Sequence, residues 1–248
     1  MRLSWKNTEP RLPATGVMHL ARELLFPSFC YLCREPAHEG MPLCPECLSK
    51  IELIQNRCQI CGEPFSGEAG ERSCGDCMQD PPHFVKARAW ARFGGPMLDV
   101  IHKFKYQRGF QFAEWMAAGM IEVFEKEFAD QEVDLIVPVP LHWRRLLSRG
   151  YNQALILARP ISRKLKIPIA AGVLARAVNN PSQVGLSRPK RKENLKKVFQ
   201  VESKSKVAGK NILLIDDVIT TGATVDEVAR VLRKAGAESV CVLAFARA

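Results

Sequence analysis

No stretch of this 248-residue sequence is long and apolar enough to span a bilayer as a helix. Its longest apolar runs, such as Val240–Ala246, are strand-length, well short of the ~20 residues a spanning helix needs. Nor does the start read as a secretory leader. Met1–Pro13 is polar, holds Pro10 and Pro13, and has no apolar run behind a basic start. The protein is therefore expected in the cytoplasm, without membrane insertion. A third missing feature is the G-x-x-x-x-G-K-[ST] string, which speaks against a P-loop nucleotidase. Acidic residues are scarce in one place only: residues 141–210 carry 17 Lys and Arg against Glu193 and Glu202. Over residues 1–130 the charges nearly cancel, 15 basic against 17 acidic, whereas residues 131–248 hold 21 against 9. A one-signed field of that density suits a polyanion such as a pyrophosphate, a nucleotide or a nucleic-acid backbone. Stacking aromatics are few within 141–210, namely Trp143, Tyr151 and Phe199, which makes base stacking there a weak expectation.

Cysteine is plentiful and ordered. Eight of the nine fall into four C-x-x-C pairs, Cys30/Cys33, Cys44/Cys47, Cys58/Cys61 and Cys74/Cys77, within 48 residues. Each pair can set two thiolates on one side of a tight turn, and two pairs supply the four soft ligands of a tetrahedral Zn²⁺. Disulfides fit poorly in a reducing compartment. A thioredoxin-like redox pair calls for one such motif opening a helix, not four copies. Structural zinc is the favoured reading, with pairs one and two forming one ribbon and pairs three and four a second. Interleaved pairing stays open. Gly62, Gly75 and Pro45 sit at the knuckles as turn formers. His38 and His83 flank the cluster and read as surface residues, while Cys241, in an apolar run, reads as core. Metal would here replace a hydrophobic core, because Cys30–Cys77 is short and poor in apolar residues.

Helical spacing over Val17–Phe26 predicts a helix stopped by Pro27; Phe84–Phe93 alternates like a strand; Pro96–Tyr106 and Phe110–Phe128 read as helices with a break at Gly109. From Asp134 onward strands and helices alternate. The strands are Asp134–Val139, Val173–Ala177, Lys210–Ile215 and Ser239–Ala246. The helices are Tyr151–Leu165, interrupted near Pro160, and Thr224–Ala235, closed by Gly236. Asn179–Arg191 is a polar, basic loop. Such alternation predicts a parallel α/β sheet, whose ligands sit at the carboxyl ends of the strands.

The string Asn211-Ile-Leu-Leu-Ile-Asp-Asp-Val-Ile-Thr-Thr-Gly-Ala-Thr224 delivers two carboxylates to the tip of an apolar strand and then turns into a helix. Thr220–Thr224 offers free backbone N–H groups, three hydroxyls and, at Gly222, room for close approach, which together make an anion site at a helix N-terminus. Asp216 and Asp217 can accept from vicinal sugar hydroxyls. A ribose 5-phosphate matches both ends. The rival reading is an ordinary capped helix after acidic turn residues.

This string resembles the signature of type I phosphoribosyltransferases for 5-phosphoribosyl-1-pyrophosphate (PRPP). From Phe26 onward the chain resembles the ComF family of competence proteins, on Phe26-Pro-Ser-Phe-Cys-Tyr-Leu-Cys33, Pro138-Val-Pro-Leu141, Arg149-Gly-Tyr-Asn-Gln153 and Gln183-Val-Gly-Leu-Ser-Arg188. The resemblance implies an arm and helix over 1–29, a double zinc ribbon over 30–80, and over 84–248 a type I phosphoribosyltransferase-like parallel sheet with helices on both faces. It implies that Asp216 and Asp217 hold the ribose, and that Thr220, Thr221, Gly222, Ala223 and Thr224 hold the 5-phosphate. Arg144, Arg145 or Arg149 would lie by a pyrophosphate loop after Val139. A hood over 179–194 would bring Arg188, Lys190 or Arg191 over the pyrophosphate. Implied cofactors are two structural zinc ions, and Mg²⁺ with PRPP. Implied partners are single-stranded DNA entering the cell and proteins of the competence machinery. Two departures limit the inference. Thr220 stands where purine-salvage relatives carry an acid, and the start Met1-Arg2 lacks the cysteine nucleophile of amidophosphoribosyltransferases. Phosphoribosyl transfer to another acceptor, and an adaptor with a vestigial site, remain as alternatives.

Overall fold

A computed structural model describes residues 28–38, 40–66, 72–107, 109–176 and 198–248. The helix expected over Val17–Phe26, and the hood with Arg188, Lys190 and Arg191, lie outside the described residues. The chain forms two compact units, Met1–Ser49 and Lys50–Ala248. That division falls between the second and third C-x-x-C pairs.

In the first unit the knuckle Cys30–Cys33 is closed by the Cys30 N–H to the Glu35 carbonyl (2.8 Å) and the Arg34 N–H to the Cys30 carbonyl (3.0 Å). Arg34 takes a left-handed φ of 68° to do this. The partner knuckle leads into α1, Pro45–Ser49.

The second unit opens with the same device. The Cys58 N–H donates to the Glu63 carbonyl (2.8 Å) and the Gly62 N–H to the Cys58 carbonyl (3.1 Å), with Gly62 at φ 69°. Here only glycine fits, because a Cβ at Gly62 would stand 2.6 Å from the Ala87 carbonyl oxygen. The knuckle is pressed onto β1, Lys86–Arg92, whose Ala87 N–H donates to the Ile60 carbonyl at 2.8 Å. The fourth knuckle leads into α2, Gly75–Gln79.

The central sheet is wholly parallel. It joins β1 with β2 (Leu135–Pro138), β5 (Asn211–Ile219) and β6 (Ser239–Arg247) in the order β1-β6-β5-β2. A single parallel bridge, Ile136 to Ile169, extends it beyond β2. A small antiparallel pair, β3 (Leu174–Arg176) and β4 (Phe199–Val201), stands apart. Both central strands are buried on both faces, as their near-continuous apolar run requires. Along β6, Val240, Val242 and Ala244 join one core with Cys58, Cys61, Cys77 and the face of α7 (Ala223–Lys234). On the opposite face Phe245 meets Trp90 and Trp115, each pair of ring centroids 5.4 Å apart. Trp115 belongs to α4 (Ala113–Glu127), which follows α3 (Pro96–Tyr106) and a 3₁₀ turn at Phe110–Phe112. Close packing of α4 on β1 explains Gly119, where a Cβ would come within 2.8 Å of the Trp90 ring. Among the described residues no helix is long and apolar enough to cross a membrane.

Several elements differ from the sequence reading: the strand expected over Val173–Ala177 is β3, which pairs antiparallel with an unexpected β4 outside the parallel sheet. The strand expected to end at Ile215 runs on to Ile219, because Asp216, Val218 and Ile219 still pair with Ala244, Ala246 and Arg247 of β6. The expected interruption at Pro160 does not occur. α6 runs unbroken over Gln153–Leu165 with Pro160 inside it, and packing against α4, β2 and β5 holds it through the lost hydrogen bond. Finally, the segment after Pro140 is not loop throughout but contains α5, Trp143–Arg149, with His142 as its N-cap.

Candidate functional site

The two cysteine quartets assemble as the serial pairing requires. Cys30, Cys33, Cys44 and Cys47 form one, and Cys58, Cys61, Cys74 and Cys77 the other, with the four sulfurs of each set within 4.8 Å of one another. Cys33 and Cys44 sulfurs stand 3.5 Å apart, and those of Cys61 and Cys74 3.6 Å. Tetrahedral Zn–S bonds of about 2.3 Å place sulfurs roughly 3.8 Å apart, so both quartets fit zinc. Backbone donors prepare one thiolate in each set. Burial raises the Cys30 thiol, but N–H groups of Cys33, Cys44 and Leu32 outweigh it and bring the pKa down to about 6. Burial likewise raises Cys58, and N–H groups of Cys74, Cys61 and Ile60 bring it down to about 7. Cys61 is pushed up to about 11, by burial first. Its proton is one that metal binding would displace. His38 and His83 are both exposed, as the sequence reading has them, and His83 also bonds Asp226.

The second site lies at the carboxyl end of β5. β5 carries Asp216 and Asp217 there, and Gly222 (φ 78°) turns the chain into α7 as its N-cap. A cleft of about 150 Å³ opens beside this tip. Asp216, Asp217 and Thr224 line it together with Arg145, Arg149 and Arg176. Asp217 is buried and pairs with Lys105 at 3.1 Å. Asp216 sits deep although part of its surface is open to the cleft. Burial, then the neighbouring Asp217, pushes its pKa up to about 7 against the pull of Lys105 and Arg176. The two carboxylates thus have unequal surroundings, Asp217 paired with a lysine and Asp216 pushed toward its neutral form.

The cationic side holds a group the sequence reading missed. Burial, then Arg145, lowers the pKa of Arg176 from its ordinary value, and its Nε is buried without a hydrogen-bond partner. Gln153, also in the cleft wall, has an unpartnered buried Nε2. Buried donors left unmatched in a polar cleft mark places for a ligand's acceptors. Arg176 closes a three-residue strand, and no sequence pattern singles it out from the other cations of 141–210. Arg149 donates to Gln153 (3.3 Å) and to the Tyr106 hydroxyl (2.9 Å). Asn152, which caps α6, donates to the Val139 carbonyl (3.0 Å) and fixes the turn after β2.

The remaining expected residues are placed as follows. Thr221, Gly222 and Ala223 line a second, much smaller cavity of about 20 Å³ on the loop's other side. Thr220 is exposed and is not part of the wall of either. Arg144 lies over the Trp143 ring, 5.2 Å from its centroid, instead of in the cleft.

Residues 151–248 match the phosphoribosyl transferase domain family, and residues 21–78 match the double zinc ribbon domain family. The chain is 33% identical to DNA utilization protein YhgH of Escherichia coli (strain K12), covering 90% of this chain and 99% of that protein. It is 33% identical to Competence protein F of Haemophilus influenzae, covering 88% and 96%. Competence protein ComFC of Bacillus subtilis is 30% identical, over 78% and 79%.

Metal content tests the quartets directly. Purified protein should hold two zinc ions per chain, and Cys47→Ser or Cys61→Ser one each, by elemental analysis. Metal-free wild-type protein with fully reactive native thiols would rule the ribbons out.

Asp216 predicts a pH signature. Its folded pKa lies above that of the unfolded chain, so stability held by the neutral form is fully present below about 4 and is lost as pH rises through about 7. The melting-temperature gain of Asp216→Asn over wild type should therefore grow by roughly 2 °C or more between pH 5 and pH 8. A gain that stays constant with pH in thermal scans would contradict the shift.

Proposed function

The chain belongs to the ComF family of competence proteins, and from that premise we propose that it binds PRPP, or a related ribose 5-phosphate, at the carboxyl end of β5 and handles single-stranded DNA in the cytoplasm. The carrying observation is the cleft, whose wall joins the carboxylate pair and Thr224 at the start of α7 with convergent cations, one of them partly unpaired. On this reading Asp217 and Asp216 accept from the ribose hydroxyls. The free N–H groups of Thr221–Thr224, at the start of α7, take the 5-phosphate. Arg145, Arg149 and Arg176 take the pyrophosphate, with Arg188, Lys190 and Arg191 available from the hood. Mg²⁺ would enter with PRPP and supply further positive charge to offset the negative charge of the pyrophosphate.

A second reading is transfer. Nucleophilic attack on the anomeric carbon breaks its bond to pyrophosphate, whose charge would grow beside Arg145, Arg149 and Arg176. Among the described cleft residues Asp216, with its pKa raised to about 7, is assigned on this reading to the ribose and not to the incoming nucleophile, so transfer calls for an acceptor that is already nucleophilic.

For DNA, the supporting features are charge and two exposed rings. Tyr151 and Phe199 are buried, which leaves Trp143, 56% exposed, as the one accessible ring of the three in that basic segment. Tyr106, 60% exposed, joins it from α3, and Arg149 lies over its ring at 4.7 Å. Arginine-backed rings suit single strands, which are held by stacking and phosphate contacts together.

Calorimetry with PRPP and Mg²⁺ tests the ligand. Wild type should bind, and Asp216→Asn with Asp217→Asn should abolish binding while the protein stays folded; equal binding by that double variant would mean the ribose lies elsewhere. Pyrophosphate release against a panel of nucleophiles decides for or against transfer.

Single-stranded DNA should bind without sequence preference, with a log–log salt slope of about −0.7 per phosphate contacted. Tyr106→Ala with Trp143→Ala should weaken it roughly tenfold or more. If the full chain with Arg188, Lys190 and Arg191 neutralised together binds as tightly as wild type, the DNA site belongs to the ribbons and not to the basic part.

A further inference from the structure

We infer that the second zinc ribbon is the support that holds the phosphate loop Thr220–Thr224 in its ligand-binding shape, with Glu63, Arg247, His83 and Asp226 as positioning residues. The inference rests on the reading of that loop as a phosphate cradle.

The loop is gripped at both ends by the ribbon. At its entry, the Ile219 carbonyl accepts from the Arg247 guanidinium (3.3 Å) and from the Ala248 N–H (2.9 Å). Arg247 is itself only 2% exposed and is held on its other side by the Glu63 carboxylate. Glu63 is not an arbitrary anchor. Its own carbonyl closes the third knuckle by accepting the Cys58 N–H. At the loop's exit, Asp226 in the first turn of α7 accepts from the His83 backbone N–H (2.7 Å) and faces its Nδ1 (2.9 Å). His83 leaves the ribbon a few residues after Cys77.

Between these two struts the ribbon also walls the loop's back. Cys61, Asp80, Pro82 and Phe84 face Thr221, Gly222 and Ala223 across the cavity of about 20 Å³, which is too small for a ligand and leaves the loop little room to retreat. Cys58, Cys61 and Cys77 share one buried cluster with Ala223 and Val225.

A cradle made of backbone N–H groups binds phosphate only if its dihedrals are already set, because ordering five residues on binding would consume most of the gain. The loop's own sequence cannot set them. It has one left-handed glycine, and Gly222 makes no side-chain cap hydrogen bond to α7. The ribbon can, but only while its thiolate quartet is cross-linked, since the segment has few apolar side chains beside the cysteines. The zinc quartet therefore acts at the ligand site without touching the ligand.

The test measures ribose 5-phosphate and, separately, inorganic pyrophosphate by calorimetry on the full chain. Glu63→Ala and Asp226→Ala should each weaken ribose 5-phosphate roughly fivefold or more while retaining two zinc ions and leaving pyrophosphate affinity within about twofold. Glu63→Gln and Asp226→Asn, which keep an acceptor oxygen, should restore most of the loss. Alanine variants that keep their zinc and bind ribose 5-phosphate like wild type would overturn the inference. So would a parallel loss for both ligands, which would mark the contacts as merely structural. Wild-type protein that fails to bind ribose 5-phosphate overturns the cradle itself, and this inference with it; that failure shows in the wild-type arm alone.

Discussion

Everything at the ligand site depends on β5 staying paired with β6 beyond its apolar stretch. Four more residues of parallel pairing, Asp216 to Ile219 against Ala244 to Arg247, carry two carboxylates out of the core on a rigid backbone and only then release the chain into a turn. Had the strand ended at Ile215, the acid pair would sit on a loop and the helix would start from an undefined direction. Pairing fixes the alternation instead. Asp217 is turned inward to Lys105 and Asp216 lies beside it, so two identical side chains stand in different surroundings. Enclosing two carboxylates together costs stability, a cost proteins accept where function demands it.

The cationic side is built differently. Its arginines come from two elements, Arg145 and Arg149 from α5 and Arg176 from β3. They converge because β2 and β5 are neighbours and because Asn152 ties the start of α6 to the end of β2. Like-charge crowding between Arg145 and Arg176 is tolerable only with anions nearby, which Asp216 partly supplies.

Much of this was legible in advance, and unevenly. The metal ligands and the loop could be read off because each depends on local spacing: two thiols per knuckle, or acids followed by hydroxyls and a glycine. The alternation of strands and helices predicted the parallel sheet for the same reason. What escaped were features set by tertiary contacts. The extension of β5 is decided by β6, the continuity of α6 through Pro160 by its neighbours, and the role of Arg176 by where a three-residue strand lies. The helix Trp143–Arg149 has no apolar face to reveal it, since none of its residues is buried. The division of the chain at Ser49 is likewise invisible in four evenly spaced cysteine pairs.

The two ribbons also record what a duplicated element becomes when one copy acquires a load. Both knuckles need a left-handed residue four places after the first cysteine. In the first ribbon an arginine fills it, and in the second a glycine backed against Ala87. Arginine bears the strain of that conformation at modest cost when nothing presses on it. Against a strand backbone there is no such latitude. The first knuckle therefore tolerates a side chain at that position, while the second is tied to the backbone of β1 and shares a buried cluster with the start of α7. The divergence between the copies thus measures mechanical duty, and the more constrained repeat is the one worth following when homologous chains are compared.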